Sequence, residues 1–424
     1  MINTLYVMLW GHKVGTLVQT IAGYKKGIVF FFDPEFVRLG LDIAPLCASV
    51  HSVAAIKGLP IYGESEKFFG GLPSFIADSL PDQWGNMVFA EWLKSRKISM
   101  RQVSALDRLA YIGRRGMGAL EFVPASTPDM EQPLRVQVED LYRLSQRALS
   151  EAKAIHGAIP HDFAIESLFR VGTSAGGRRP KAVVNVNFDT EEFYSGQVDT
   201  PLPGFRPMII KFDEHGTMPT TRIEYSYYLM ARESGLRMME SSLYEGENST
   251  HFLTERFDRT TEGKLHIQTL AALNPQSQSY ESLFGAARRI GVSQENMKQI
   301  FMAMVMNIAC ANVDDHNKNF SFIMKPDGNW SFAPVYDFTF ACDLSAPGYV
   351  NRHSMSVNGK VESIGRADVT AIAENYDIRD AVGLIDKVVD VASRYPSFAA
   401  QAGVSEDWSH KISEEINYRV SLLK

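Results

Sequence analysis

Residues 312–322 read NVDDHNKNFSF, and the interpretation of the whole chain starts from this stretch. It follows residues 297–311, a strongly apolar run that we predict to be a buried helix. A polar run directly after a buried helix needs a reason, because a buried polar group is costly unless it is paired. We therefore take this stretch as the first candidate for a functional loop.

Asp314 and Asn319 stand in the spacing D-x-x-x-x-N. That spacing is typical of a kinase catalytic loop, in which the aspartate accepts the proton of the substrate hydroxyl and the asparagine holds a metal ion. The alternative is a solvated loop with a helix-capping aspartate, and this spacing alone would favour that alternative. The residues that follow favour catalysis.

A β-hairpin is predicted directly after the loop. Residues 320–324 and 330–333 have strand character, and they flank KPDGN, whose Pro-Asp-Gly order is a turn signal. Folding this hairpin brings Tyr336 and Asp337 back beside Asn319. Two carboxylates and an amide oxygen at one point suit Mg²⁺, which prefers hard oxygen ligands. The sequence therefore predicts a magnesium site.

A glycine-rich segment, GTSAGGRRPK at 172–181, precedes a strand predicted at 182–186. Glycines let backbone N–H groups approach phosphates closely. The spacing G-x-x-x-x-G is present, but Arg178 and Arg179 follow where a Walker A motif requires Lys-Ser/Thr, so this is not a P-loop NTPase signature. Taken alone, the segment is equally well explained as a surface turn.

Lys211 lies near the end of a further predicted strand, at 207–212, and a helix predicted at 224–234 follows with Gly235 as its stop. A lysine on such a strand can hold ATP phosphates in kinases, although a surface charge at a strand end is the simpler explanation. Residues 254–259 end the β region, where a hinge would meet adenine. The simpler explanation there is a charged strand end.

The composition is that of an ordinary globular chain. It has 424 residues, of which 45% are hydrophobic and 22% charged, with a formal charge of −6. The length suits two or three subdomains, and we predict regions at 1–125, 134–258 and 259–424. A β-rich part followed by a helical part indicates an α+β fold. The negative charge argues against direct nucleic-acid binding.

The cysteines and the search for targeting segments give little further information about function. The three cysteines, Cys47, Cys310 and Cys342, show no zinc spacing and do not suggest a disulfide framework. No signal peptide and no apolar run of membrane-spanning length is recognisable, so we expect a cytoplasmic protein that does not engage a membrane.

The chain resembles the HipA family of kinase toxins on residues that occur in the family's order. These are Ser174-Ala175-Gly176-Gly177 with Lys181, the strand ending in Lys211, ERFDR at 255–259, the D-x-H-x-K-N-F-S run at 314–321, and Tyr336-Asp337. In the N-terminal part, VGTL at 14–17, LPDQWG at 80–85 and GRRGMGAL at 113–120 are also similar. Arg178-Arg179-Pro180 departs from the more neutral segment of the best-known members.

The resemblance implies an α+β, protein-kinase-like two-lobe fold of the HipA type, with an N-terminal subdomain at 1–125, a β-rich ATP-binding lobe at 134–258 and a helical catalytic lobe at 259–424. It implies an ATP-dependent serine/threonine kinase with ATP and Mg²⁺ as cofactors. Asp314 would be the catalytic base, with Lys318 and Asn319 in the catalytic set and Asn319 and Asp337 on the metal. The implied nucleotide contacts are Ser174, Gly176, Gly177, Lys181, Lys211 at the phosphates, Glu255 and Phe257 as backbone hinge contacts, Asp258 at the ribose, and His316.

The resemblance also implies regulation and partners. Ser174 aligns with the serine that the family autophosphorylates to switch itself off. The implied partners are a HipB-like DNA-binding antitoxin and a protein substrate of the aminoacyl-tRNA synthetase class, with no direct nucleic-acid contact. Two alternatives stay open: a kinase-shaped co-repressor with little catalysis, and a small-molecule phosphotransferase.

Overall fold

The structure is a computed structural model that describes residues 2–22, 25–126, 133–153, 177–196, 199–214, 216, 218–345 and 351–424. It divides into two compact units. Unit 1 comprises Met1–Glu214, Tyr244–Gln268 and Met324–Gly328, and unit 2 comprises His215–Leu243, Thr269–Ile323 and Asn329–Lys424. Most of the first two predicted regions therefore fall in one compact unit.

The strands in and bordering unit 1 are β1 Thr4–Leu9, β2 His12–Ala22, β3 Lys25–Phe32, β4 Ile61–Tyr62, β5 Leu120–Val123, β6 Arg135–Val136, β7 Lys181–Asn187, β8 Glu192–Ser195, β9 Arg206–Lys211, β10 Ser241–Glu245, β11 Thr250–Glu255, β12 Arg259–Thr260, β13 Gly263–Lys264 and β14 His266–Thr269. Its helices are α1 Pro34–Leu39, α2 Val53–Ile56, α3 Glu66–Phe69, α4 Ser74–Ala77, α5 Gln83–Ser95, α6 Ala105–Ile112 and α7 Val138–Lys153, with a 3₁₀ turn at Met100–Gln102.

The first sheet of unit 1 has five strands in the order β4-β3-β2-β1-β5. Its β1–β2 hairpin turns at Trp10 and Gly11, which both have positive φ, 49° and 81°. A two-residue turn of this hand matches the twist of the strands it joins. Strands β1 and β2 therefore pair as a tight antiparallel hairpin.

The second sheet of unit 1 has six strands in the order β10-β11-β9-β7-β8-β6. In β7 every residue except the last is buried. The core beside this sheet includes Leu141 and Tyr142 from α7, which lie with Val184, Ile210 and Leu253 from three neighbouring strands. Strand β7 lies between β9 and β8, and α7 packs on one face of the sheet, which explains why most residues of β7 are buried.

The elements of unit 2 are mainly helical. They are α8 Thr220–Ser234, α9 Leu270–Leu273, α10 Tyr280–Arg289, α11 Gln294–Ala309, α12 Arg366–Asn375, α13 Ala381–Ser393, α14 Tyr395–Gln401 and α15 Glu406–Leu423, with β15 Ser321–Met324, β16 Trp330–Phe332 and a 3₁₀ turn at Asn317–Asn319. From Met297 to Ala309, every residue of α11 except Lys298 is buried. A helix that is buried all round forms the centre of a helical core.

The predicted α+β class is confirmed, with one difference in the bounds of a helix. Helix α8 begins four residues before the predicted Glu224, at Thr220, and ends as expected at Gly235, which is left-handed with φ 84°. The boundary predicted at residues 124–133 lies largely outside the described residues. None of the helices in the described parts of the chain is long and apolar enough to cross a membrane.

Candidate functional site

The polar run begins at the C-terminal end of α11, the long buried helix of unit 2. Ala311 is left-handed with φ 58°, and the N–H of Asn312 donates to the carbonyl of Asn307 at 3.0 Å. A left-handed residue after a helix lets the next N–H bond back into the last turn. The helix end is therefore closed, and the loop starts from a fixed point.

The two neighbouring aspartates of the loop lie in opposite environments. The side chain of Asp314 is 69% exposed, and that of Asp315 is 0% exposed. Of the two carboxylates, that of Asp314 is therefore the accessible one, and its role as a catalytic base remains a prediction. Asp315 is a buried charge, which requires several hydrogen-bond partners.

Asp315 receives those partners from two separate parts of unit 2. Its oxygens accept from the hydroxyl of Tyr280 at 2.8 Å, from Nδ1 of His353 at 2.9 Å and from the N–H of Ser354 at 2.8 Å. Burial, and then the charge of Asp315, raise the pKa of Tyr280 well above its ordinary value, so the hydroxyl keeps the proton that it donates. The buried carboxylate therefore ties the loop to α10 and to residues 353–354.

The network continues to the last helix. Nε2 of His353 lies 3.0 Å from Nη1 of Arg419, and Arg419 also donates to Glu415 at 2.7 Å. Because arginine can only donate, His353 must accept at Nε2 and donate from Nδ1 to Asp315. A single tautomer of His353 therefore links α15 to the loop.

Asn319 closes the loop through its own amide. Its Nδ2 donates to the carbonyl of Asp314 at 2.8 Å, and its backbone N–H donates to the carbonyl of His316 at 2.9 Å. This engages the amide nitrogen and presents the amide oxygen as the available acceptor. His316 lies at the edge of the loop, with Nε2 4.0 Å from a carboxylate oxygen of Asp314, and Lys318 is exposed.

The predicted hairpin is present as β15 and β16, and it returns the chain to the loop. The hydroxyl of Tyr336 donates to the carbonyl of Lys318 at 2.7 Å and lies 2.5 Å from Oγ of Ser321. Asp337, the next residue, is left-handed with φ 50°. A non-glycine residue in that region costs about 1–3 kcal/mol and persists only where its surroundings impose it, often at functional sites.

A small cavity in unit 2 separates the loop from the returning chain. It is lined in part by Asn312, Asn319, Tyr336 and Phe338, and so by both neighbours of Asp337. Within the described residues, Oδ1 of Asn312 is buried and has no hydrogen-bond partner, while its Nδ2 lies 3.5 Å from the carbonyl of Asp337. An orphaned buried acceptor beside the cavity suits an occupant that needs oxygen ligands.

The donor set fits Mg²⁺ better than a transition metal. Asn319 and Asp337 offer amide and carboxylate oxygens, and among the described residues no group of three or more His, Cys, Asp or Glu could hold a metal by itself. Mg²⁺ is usually bound by one or two carboxylates, with water and substrate phosphates completing its shell. The residues present are therefore compatible with the metal that the loop spacing predicts.

Two lysines of unit 1 lie side by side in the second sheet. The antiparallel register of β7 and β9 places Lys181 directly opposite Lys211. Opposite residues project on one face of a sheet, and like charges at that spacing repel. Two lysines on one face of the sheet suit contacts with phosphate oxygens. The register thus supports the predicted phosphate contacts of both residues, which remain a prediction.

The predicted hinge and ribose contacts have different surroundings. Glu255 ends β11 and accepts from Arg206 at 2.6 Å, and Phe257 is half-buried. Asp258 is fully buried and accepts two hydrogen bonds from Arg256, one from Arg259 and one from the N–H of Gly118.

Although burial opposes it, the charges of Arg256 and Arg259 hold the pKa of Asp258 well below its ordinary value. Arg259 in turn donates to the carbonyls of Gly116 and Gly118 at 2.8 and 3.0 Å. An aspartate enclosed in this way ties the hinge to the N-terminal motif at 113–120. The geometry favours this structural role over the ribose contact.

Ser174 and Gly176 lie outside the described residues, so their predicted nucleotide and autophosphorylation roles remain predictions. Gly177, at the end of the same segment, is described and has φ 107°. A side chain rarely adopts that conformation, which explains the glycine there.

Sequence reasoning missed the buried supports of the site. Tyr280, His353 and Arg419 lie 35, 38 and 104 residues from Asp315 along the chain, which places them in no common motif. Trp84 is another such residue, buried and bonded to the main chain of Lys181. The LPDQWG motif was a signal for this residue, although it did not indicate the contact.

Comparison with known proteins places these features in a family. Residues 173–416 match the model described as HipA-like C-terminal domain, and residues 5–123 match that of the HipA N-terminal domain. The first match alone covers more than half of the chain.

Two individual relatives agree with the models. A Haemophilus influenzae protein named a putative kinase is 28% identical over 193 residues, which covers 39% of this chain and 52% of that protein, so the match spans about half the length of that relative. The solved HipA from a Shewanella oneidensis MR-1 complex of HipA, HipB and operator DNA superposes with a TM-score of 0.63 at 16% identity, covering 98% of this chain and 95% of that one. At this identity the likeness establishes a common fold.

Proposed function

The chain belongs to the HipA family, and from this premise we propose that it is a kinase that transfers the γ-phosphoryl group of ATP to a serine or threonine hydroxyl. One observation carries the proposal. The loop exposes Asp314 at the required spacing from Asn319, while Asp315 beside it is buried and holds the loop in place. A loop that exposes Asp314 and encloses Asp315 can present a single carboxylate as a base.

The proposal assigns a role to each of the predicted residues. In unit 2, Asp314 would accept the proton of the attacking hydroxyl, as the catalytic-loop aspartate of kinases does. Asn319 and Asp337 would hold Mg²⁺, and in unit 1 Lys181 and Lys211 would bind phosphate oxygens. Bound ATP with Mg²⁺ would supply the phosphoryl group and neutralise its charge.

Transfer of labelled phosphate from γ-labelled ATP, with and without cell lysate, tests the proposal. We expect the wild-type protein to label itself and a protein band. Asp314→Asn should lower the rate about 10²–10⁴-fold, the usual effect of losing a general base, while ATP binding is kept. Asp390→Asn is the matched control, because Asp390 is equally exposed at 69% but lies on α13. Equal losses in both variants would remove Asp314 from the mechanism.

The same experiment separates the alternatives. Labelled small metabolites without a labelled protein would indicate a small-molecule phosphotransferase. No label at all would indicate a kinase-shaped co-repressor. A labelled protein band, identified by mass spectrometry, supports the kinase and names the substrate.

We also propose a toxin role with a HipB-like antitoxin as partner. The support is family membership and the Shewanella oneidensis structure, in which HipA occurs with HipB and operator DNA. An aminoacyl-tRNA synthetase is the substrate class that the resemblance implies. Growth arrest on expression of the wild-type chain, absent with Asp314→Asn, tests the toxin role. Labelling of a purified synthetase tests the substrate.

A further inference from the structure

Strand β7 begins with Lys181, and one of its edges is incompletely paired by strands. On the side of β8, the N–H of Gly196 donates to the carbonyl of Val183 at 3.0 Å, and β8 itself ends at Ser195. On the side of β9, the carbonyl of Pro180 accepts from Phe212 at 3.0 Å. Because successive carbonyls of a strand point to opposite edges, the carbonyl of Lys181 points to the β8 side.

A tryptophan side chain takes the place of the missing strand. The indole N–H of Trp84 donates to the carbonyl of Lys181 at 2.9 Å, and the side chain is 0% exposed. Lys181 is two residues before Val183, so its carbonyl is the next one along this edge. The indole therefore continues the hydrogen-bond ladder beyond the end of β8.

The main chain of the same residue holds the other end of the segment. Trp84 is the second residue of α5, whose cap Asp82 accepts from the N–H of Gly85 at 2.8 Å. The first N–H groups of a helix have no acceptor within the helix. That of Trp84 is directed to the carbonyl of Gly177 at 3.4 Å. One residue thus bonds both ends of residues 177–181.

We propose that Trp84 is a positioning residue of the nucleotide site, acting through Lys181. It fixes the main chain from Gly177 to Lys181, and so keeps Lys181 opposite Lys211 on one face of the sheet. The identity of the ligand that the two lysines bind rests on the proposed function, whereas the hydrogen bonds of Trp84 to residues 177 and 181 do not. The LPDQWG motif of the N-terminal domain is, on this proposal, a part of the nucleotide-binding lobe.

The test removes the indole N–H and keeps an aromatic ring at position 84. Trp84→Phe, and incorporation of benzothienylalanine at the same position, both delete the donor, and the second preserves the bicyclic shape if the first fails to fold. We expect hydrogen exchange at the amides of residues 177–184 to become roughly tenfold faster without nucleotide. The affinity for Mg²⁺-ATP, measured by calorimetry, should fall roughly 3- to 10-fold, the value of one net hydrogen bond.

Trp92→Phe is the matched control. Trp92 lies on the same helix and is 3% exposed, and its indole contacts the rings of Phe89 and Tyr111. This variant should lower the melting temperature without changing exchange at 177–184 or ATP affinity.

Unchanged exchange at 177–184 in the Trp84 variants, or equal changes in the Trp92 variant, would overturn the proposal. If the wild type binds no nucleotide, the proposed function fails. Faster exchange in the nucleotide-free Trp84 variants would still show that the hydrogen bonds of Trp84 fix residues 177–181.

Discussion

Asp315→Asn should destabilise unit 2, whereas Asp314→Asn should leave its stability nearly unchanged. Asp315 is 0% exposed, and one of its oxygens accepts from both Tyr280 and His353. An asparagine has the same shape, but its NH₂ group can only donate and would lie against groups that also donate. Not all of those groups can reorient. His353 in particular must keep donating from Nδ1, because Arg419 donates to its Nε2.

The magnitude follows from the number and type of bonds lost. A buried hydrogen bond to a charged group contributes about 1.5–3 kcal/mol, and a buried donor left without its acceptor costs about 1–3 kcal/mol. Because these terms share one carboxylate and are not additive, we expect a loss of about 3–5 kcal/mol for Asp315→Asn. Asp314 is 69% exposed, so its replacement should stay within about 0.5 kcal/mol.

Urea unfolding measures the free energies, and hydrogen exchange localises the loss. Protection should fall first at residues 312–320 and 353–355, where the network joins the loop. The reasoning is refuted if Asp315→Asn unfolds within about 0.5 kcal/mol of the wild type, or if both variants lose the same stability. The pair also separates a structural defect from a catalytic one, because Asp314→Asn should lose phosphoryl transfer and keep its fold.

Three further predictions concern the metal, the regulation and the response to acid. Asp337→Asn should raise the Mg²⁺ concentration needed for nucleotide binding by roughly tenfold or more in calorimetry, and an unchanged requirement would remove Asp337 from the metal site. Ser174 should gain phosphate on incubation with ATP and Mg²⁺, detected by mass spectrometry, and the separated phosphorylated form should bind ATP poorly because the added charge of about −1.5 to −2 repels the nucleotide; normal ATP binding by that form would contradict this. Burial lowers the pKa of His266 to about 4, below an unfolded value of about 6.5, so the unfolded state binds more protons between these values and stability falls as pH drops through this window. Between about pH 7 and pH 4.5, the wild type should lose about 2–3 kcal/mol more free energy of unfolding than His266→Gln, as measured by urea unfolding. An identical pH dependence in both proteins would contradict the prediction.

The local features of the site were predictable because they depend on neighbours in the chain. The hairpin after the loop, for example, follows from its turn residues. The left-handed Ala311 and Asp337 were not predictable, because alanine and aspartate carry no signal for that conformation comparable to that of glycine.

The supports of the site depend on residues far apart in the chain, and so they carry no local pattern. Nothing around His353 or Arg419 indicates that they meet, and only the fold brings them to Asp315. Asp258 shows the opposite case. Its place after the hinge strand suggests a ligand contact, but two arginines and the N–H of Gly118 already occupy its oxygens.

The bond between His353 and Arg419 also has a consequence for synthesis. Arg419 is added 104 residues after Asp315, and at about 5–20 residues per second this takes roughly 5–20 s. During that time the nascent chain already contains Asp314 and Asn319, but Asp315 still lacks the arginine that fixes its histidine. The support of the loop is complete only after α15 has been synthesised, so a chain still being translated carries Asp314 beside an unfinished hydrogen-bond network.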